Sequence, residues 1–304
     1  MTREVPALFA AGISGILVGV ALVATGSIVE AAGPITIAFI RYLIGALLLL
    51  PFALRTSWIR VPLTDFLPLA LLGIFQFAVL IMLLNFSVIY IEVGLAVLIF
   101  ATLPLLTMTI AILLGREAFT SRKLIGITLT IVGVGFAVGA TAFSENIGAD
   151  GWLGISAAFL SALSGAVCSI FYGPYLKRYP TLQISTLAML ASVIFLCGLA
   201  VTEGMLTTLP HFTLHVWLVL LFIGFASAVG YFCWLYGLSH TLPSNVTVFL
   251  GLSPISAALF GALFINQPLT WQDATGTVLV VSGLVVSLWR RRAPPQALPI
   301  LPPQ

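Results

Sequence analysis

The chain has 304 residues, 61% of them hydrophobic and 7% charged, and a formal net charge of +3; its mean hydropathy is +1.19. Soluble domains carry about 25% charged residues, so a soluble enzyme or binding module is excluded, and so small a net charge gives a nucleic-acid partner no support. What remains is an all-α integral membrane protein, because the apolar runs repeatedly reach the ~20 residues that ~30 Å of hydrocarbon demands of a helix.

Splitting the chain at its polar breaks predicts ten transmembrane helices, at 6–28, 34–54, 66–89, 93–114, 122–142, 152–173, 181–202, 213–238, 245–265 and 271–289. Arg3 and the apolar run from Pro6 superficially resemble a signal peptide. The run is read as the first span, because its removal would leave the first half of the chain one helix short. Gly15 and Gly19 of span one stand four apart, a spacing that lets a neighbouring backbone approach closely. Span two holds Arg41, the one basic residue inside a span, roughly 10 Å from its outer end. Such a charge needs partners. It either anchors a substrate carboxylate in a watery cavity or packs helices by bonding carbonyls.

Span three carries Gln76 and Asn85, nine residues and so about half a turn apart at ~100° per residue. Each lines a path or makes an interhelical amide bond. In span six, Ala157, Ser161, Ser164, Gly165, Cys168 and Tyr172 form a stripe of mostly small residues at helical spacing. Close packing accounts for it, and a polar wall that accepts solute is the alternative for the two serines. Span eight contains GYFCWLYG. There Tyr236 reads as an interfacial anchor, while Tyr231 and Trp234, three apart and deeper, form one wall with hydrogen-bonding tips. Pro104 and Pro254 each remove a backbone bond, kinking spans four and nine where irregular backbone can border a cavity. The closing RRRAPPQALPILPPQ is read as a disordered cytoplasmic tail.

A second version of residues 85–136 follows 150 positions later without a gap. Pro104 pairs with Pro254, Leu113 with Leu263, Thr120 with Thr270, Gly126 with Gly276, Leu129 with Leu279 and Gly133 with Gly283. The chain is a duplication, with one repeat at 1–143 (spans one to five), a second at 144–290 (spans six to ten) and the tail at 291–304. An odd number of spans per repeat turns the second copy over, giving two inverted five-helix repeats. Charge placement agrees. With both termini in the cytoplasm, eleven of the twelve Lys and Arg residues lie inside, Arg41 being the exception, and no outer loop carries one.

Several chemistries find no carrier. There is no G-x-x-x-x-G-K-[ST] to cradle ATP, so no ATPase activity or subunit is implied. His211, His215 and His240 sit near the surfaces and activate no buried nucleophile. Cys168, Cys197 and Cys233 fall in apolar runs, and no His/Cys cluster has metal spacing. No catalytic residue, cofactor or metal is expected. Glu92 and Glu117 border spans and are read as solvated loop charges.

At GREAFTSRKLIGITLTIVGVGFAVG, after a span with a central proline, the chain resembles the EamA family of the drug/metabolite transporter superfamily. Gly115, Glu117 and Gly126 carry the match in the first copy; the second has Ile265 and Gln267 at the Gly and Glu positions but keeps Gly276 and Gly283. The resemblance implies a ten-helix carrier of the bacterial inner membrane with a central cavity between the repeats. Spans one, three, four, six, eight and nine would bound that cavity, and spans five and ten would lie to the side. It favours the structural role for Arg41, since an arginine is frequent there in the family, and suggests export of amino acids, including aromatic ones, by alternating access. One intramembrane cation is too few for a phosphorylated substrate. A small amphipathic solute suits the apolar, aromatic lining better. Hydrophobic drugs or other metabolites are the alternative cargo, and an intramembrane enzyme or a non-transporting sensor the remote ones. The expected partners are the small-molecule substrate and the bilayer.

Overall fold

Backbone in hydrocarbon satisfies its hydrogen bonds only within helices or a closed barrel, and every described element of this chain is helical. The computed structural model describes residues 4–28, 31, 33–55, 59–91, 93–138, 151–265 and 270–288. The tail 291–304, both repeat boundaries, Glu30, Glu92, Glu145, Asp150 and Gln267 lie outside the described residues.

In chain order the helices are α1 (Glu4–Gly26), α2 (Pro34–Arg55), α3 (Leu63–Ile74), α4 (Leu80–Tyr90), α5 (Val93–Phe100), α6 (Leu103–Leu113), α7 (Ser121–Val138), α8 (Gly151–Leu176), α9 (Thr181–Thr202), α10 (Met205–Thr208), α11 (Leu214–His240), α12 (Pro243–Thr247), α13 (Leu252–Ile265) and α14 (Trp271–Leu288). Two of the joints matter. Helices α3 and α4 run on through a π turn at Phe75–Val79, and α12 leads into α13 through a 3₁₀ turn at Val248–Gly251. Among the described residues, eight helical stretches are long and apolar enough to cross a membrane: Glu4–Gly26, Pro34–Arg55, Leu63–Ser87, Leu95–Leu113, Gly151–Leu176, Thr181–Thr202, Leu214–His240 and Pro243–Leu263. The remaining two expected spans overlap α7 and α14, of 18 residues each.

Helix α1 packs against α11 and α13, while α8 packs against α3–α4 and against α5–α6. Helix α2 pairs with α9, and α7 with α14. Small residues permit the closest of these approaches. A Cβ on Gly126 of α7 would stand 2.6 Å from the Gly283 carbonyl of α14, and one on Gly133 would stand 2.7 Å from the Val280 nitrogen. Side chains at Gly15 and Gly19 of α1 would strike the Phe249 and Ser253 carbonyls. The glycines seven apart in the sequence are therefore where two backbones touch. Because α7 and α14 mostly contact each other, they stand beside the main core.

That core is aromatic where α2, the π turn, α8 and α11 meet, with Tyr42, Phe77, Tyr172, Tyr231 and Trp234 buried. At the start of α2, Glu203 from the end of α9 accepts bonds from the backbone N–H groups of Ile35 (3.1 Å) and Thr36 (2.6 Å) and from the Thr36 hydroxyl (2.8 Å). A carboxylate at a helix N-terminus satisfies donors that no helical carbonyl can reach and complements the helix dipole.

Candidate functional site

Helix α11 carries Ser227, Tyr231 and Trp234 at the i, i+4, i+7 spacing of a single face. The Tyr231 ring meets Phe77 edge-on at 4.3 Å between centroids; Phe77 lies 4.7 Å from Tyr42, and Tyr172 of α8 lies 6.3 Å from Tyr231. These rings pack together where α2, the π turn, α8 and α11 meet. Tyr172, Tyr231 and Trp234 are 0%, 7% and 5% exposed. Yet the hydroxyls of Tyr172 and Tyr231, Nε1 of Trp234 and Oε1 of Gln76 have no hydrogen-bond partner among the described residues. The Tyr172 and Tyr231 hydroxyls do interact with each other, although not in the geometry of a full hydrogen bond. Buried polar groups are nearly always satisfied, and each unmade bond costs about 1–3 kcal/mol. These four groups lie on the π turn, α8 and α11, and the hydroxyls of Ser192 on α9 and Ser287 on α14 share their condition.

Gln76 owes its place to the π turn. A π turn takes up about one extra residue, so Gln76 and Asn85 fall roughly a quarter turn apart by ideal geometry and not half a turn, as regular helix spacing predicts. Asn85 is half-buried further along α4. The stripe on α8 clasps this same joint. Ser161 donates to the Leu80 carbonyl at 2.8 Å, Ser164 to the Phe75 carbonyl at 3.1 Å, and Cys168 to the Leu72 carbonyl at 3.6 Å. Both serines thus bond the backbone around the π turn.

Arg41 is half-buried on α2. Its Nε donates to the Ser227 hydroxyl, which in turn donates to the Ile223 carbonyl at 2.6 Å, and its guanidinium lies 5.3 Å from the Tyr42 ring. It therefore reaches the α11 face one turn before Tyr231. Pro104 is second in α6, after a break at Ala101–Thr102, and Pro254 is third in α13, after the 3₁₀ turn. A first helical turn tolerates proline because the N–H there has no helical partner.

Glu117 corrects the sequence reading. It is not a solvated loop charge; it is 7% exposed, in the turn between α6 and α7. Lys123 Nζ donates to its Oε2 at 2.9 Å and to the Ser244 hydroxyl at 2.7 Å; that hydroxyl donates to Glu117 Oε2, and the Ser244 N–H to Oε1 at 3.1 Å. The pair survives burial because every charge has a partner. Nothing in the sequence announced it, since Ser244 lies 127 residues from Glu117. Tyr42, Phe77 and Ser227 were missed for the same reason. Tyr172 was visible in the α8 stripe, but its neighbours were not.

Alongside the core, an apolar groove of about 490 Å³ runs between α3–α4 and α8, from Pro68 and Tyr175 past Phe75 and Val167 to Leu83 and Leu160. Among the described residues no group of three or more His, Cys, Asp or Glu could hold a metal ion.

Comparison with known proteins gives the context. The model of the family described as the EamA-like transporter family matches residues 5–139 and 152–289. An uncharacterized transporter of Archaeoglobus fulgidus is 26% identical over 276 residues, covering 90% of this chain and 95% of that one. An uncharacterized transporter of Clostridium kluyveri is 25% identical over 262 residues, covering 84% of each. A Salmonella typhimurium protein named a probable amino-acid metabolite efflux pump is 26% identical over 265 residues, covering 84% of this chain and 86% of that one. One crystal structure superposes with a TM-score of 0.79 at 19% identity, covering 94% of this chain and 96% of the other, which is a likeness of fold.

Proposed function

Because the chain belongs to the EamA-like transporter family, within the drug/metabolite transporter superfamily, we propose that it is a secondary transporter exporting small amphipathic metabolites, foremost amino acids including aromatic ones, by alternating access. The observation that carries this reading is the buried, unpartnered set of Gln76 Oε1, Tyr172 OH, Tyr231 OH and Trp234 Nε1 among aromatic rings. An amino acid needs both donors and acceptors. Gln76 Oε1 accepts from an ammonium, Trp234 Nε1 donates to a carboxylate, and the tyrosine hydroxyls do either. Arg41 stands one turn away as a further donor to the carboxylate, and the faces of Tyr42 and Phe77 receive an apolar or aromatic side chain. The name of the Salmonella relative, a probable amino-acid metabolite efflux pump, supports the cargo class.

The architecture proposed for this carrier is ten transmembrane helices in two inverted five-helix repeats, 1–143 and 144–290, in a bacterial inner membrane with both termini in the cytoplasm. The pairing of helices supports it. Exchanging the repeats turns the contacts of α1 with α11 and α13 into those of α8 with α3–α4 and α5–α6, while α2–α9 and α7–α14 map onto themselves. In this arrangement the Glu117–Lys123–Ser244 node shuts the cytoplasmic side, and the breaks before Pro104 and Pro254 are where the two halves flex. The test is counterflow. Proteoliposomes preloaded with unlabelled amino acid should accumulate labelled aromatic amino acids faster than empty vesicles, and failure with all twenty would sink the cargo. Alanine at His211, His215 and His240 should leave the flux unchanged, which an enzyme relying on them would not allow.

A further inference from the structure

The groove between α3–α4 and α8 has a cationic rim at one end. Its walls are apolar apart from Ser164, Cys168 and Tyr175, and the Ser164 hydroxyl already bonds the Phe75 carbonyl. From Pro68 to Leu83 the groove follows fifteen residues of helix, about 22 Å at 1.5 Å per residue, more than the ~15 Å that one leaflet of a ~30 Å hydrocarbon core supplies. At the Pro68–Tyr175 end the chain places Arg116, Lys177 and Arg178, all exposed. Arg116 is fixed there: its guanidinium lies 5.2 Å from the ring of Phe171, a groove residue, and donates to the Ile170 carbonyl at 2.8 Å. Arg178 is 63% exposed at the side chain and meets Asp65 at 3.4 Å. Three cations face one carboxylate, so the rim keeps a net charge of +2.

We propose that this groove holds one anionic phospholipid, with an acyl chain laid along α3–α4 and α8 and its phosphate at Arg116 and Arg178. The guanidinium fork matches phosphate oxygens, and the chain covers the apolar wall that the fold leaves open. This inference rests on the apolar span and its basic rim and is independent of the cargo.

The test is native mass spectrometry of the full chain in mild detergent, titrated with phosphatidylglycerol or with phosphatidylcholine of the same acyl chains. One phosphatidylglycerol should bind per chain about tenfold or more tightly than phosphatidylcholine. Arg116→Gln with Arg178→Gln should bring the two lipids level. Val167→Trp, which fills the groove from its α8 wall, should weaken both. Since Arg116 also braces Ile170, Lys177→Gln with Arg178→Gln serves as a second rim variant that touches only exposed side chains; it should lower the preference in part. Equal affinities for the two lipids in the unsubstituted protein would overturn the proposal, as would a preference that outlives both rim variants, or binding that ignores the tryptophan.

Discussion

Glu117 holds three bonds with two residues, so removing either member of its ion pair strands the other in a site with no counter-charge. Glu117→Gln or Lys123→Met alone should therefore destabilise the folded protein by about 3–5 kcal/mol. The double substitution should cost less than either single one, and denaturant titration of all four proteins measures that coupling. Additive losses would mean the pair is solvated after all. Tyr179 offers a pH test. Its hydroxyl donates to Asp65 at 2.6 Å, and that bond holds the phenol above its ordinary value of 10.0. A raised native pKa puts the full contribution below about pH 10 and removes it as pH climbs through the native value. Thermal melts should thus find Tyr179→Phe less stable than the parent at pH 8 and indistinguishable once the tyrosine ionises. A gap that stays constant into strong alkali would rule this bond out as its source.

At the scale of elements, the α7–α14 contact and the π turn respond differently to substitution. Gly126→Leu should drive α7 away from α14, because even a Cβ there meets the Gly283 carbonyl at 2.6 Å and the Ser287 nitrogen at 2.5 Å. A lower melting temperature with transport largely kept is the expected outcome, since these helices stand beside the aromatic core. Ser161→Ala should cost only about 0.6–2 kcal/mol, the worth of one hydrogen bond between membrane helices. The glycines spaced seven apart were legible as a mark of the repeat, but that two backbones meet there depends on tertiary contact. The helices were legible because hydrocarbon admits no other backbone. The π turn was not: FQFAV contains no breaker, and its extra residue is stabilised by α8, about 90 positions on. Pro104 and Pro254 marked the broken helices, but not that each proline lies just inside the second half of its break.

For the whole molecule, the repeat arithmetic and the charge asymmetry pointed to one architecture, and the helix pairing is compatible with it. The candidate site was only half legible. Sequence named Arg41, Gln76, Tyr231 and Trp234, each an expensive polar group in a span, but could not see that Phe77 and Tyr42 complete the aromatic wall, nor that Ser161 and Ser164 are spent on the helix joint. Polar residues in a membrane are conspicuous; their partners depend on tertiary contact. The central claim is that the unpartnered hydroxyls serve a solute and not the fold. Removing an unsatisfied hydroxyl should leave stability unchanged or raise it, so stability and transport must separate. The most direct measurement is amino-acid counterflow by Tyr172→Phe/Tyr231→Phe in proteoliposomes, with its melting temperature taken alongside. We predict a melting temperature at or above that of the parent with counterflow of aromatic amino acids reduced at least about tenfold, the equivalent of 1.4 kcal/mol. Unchanged counterflow in the same folded variant would contradict the account.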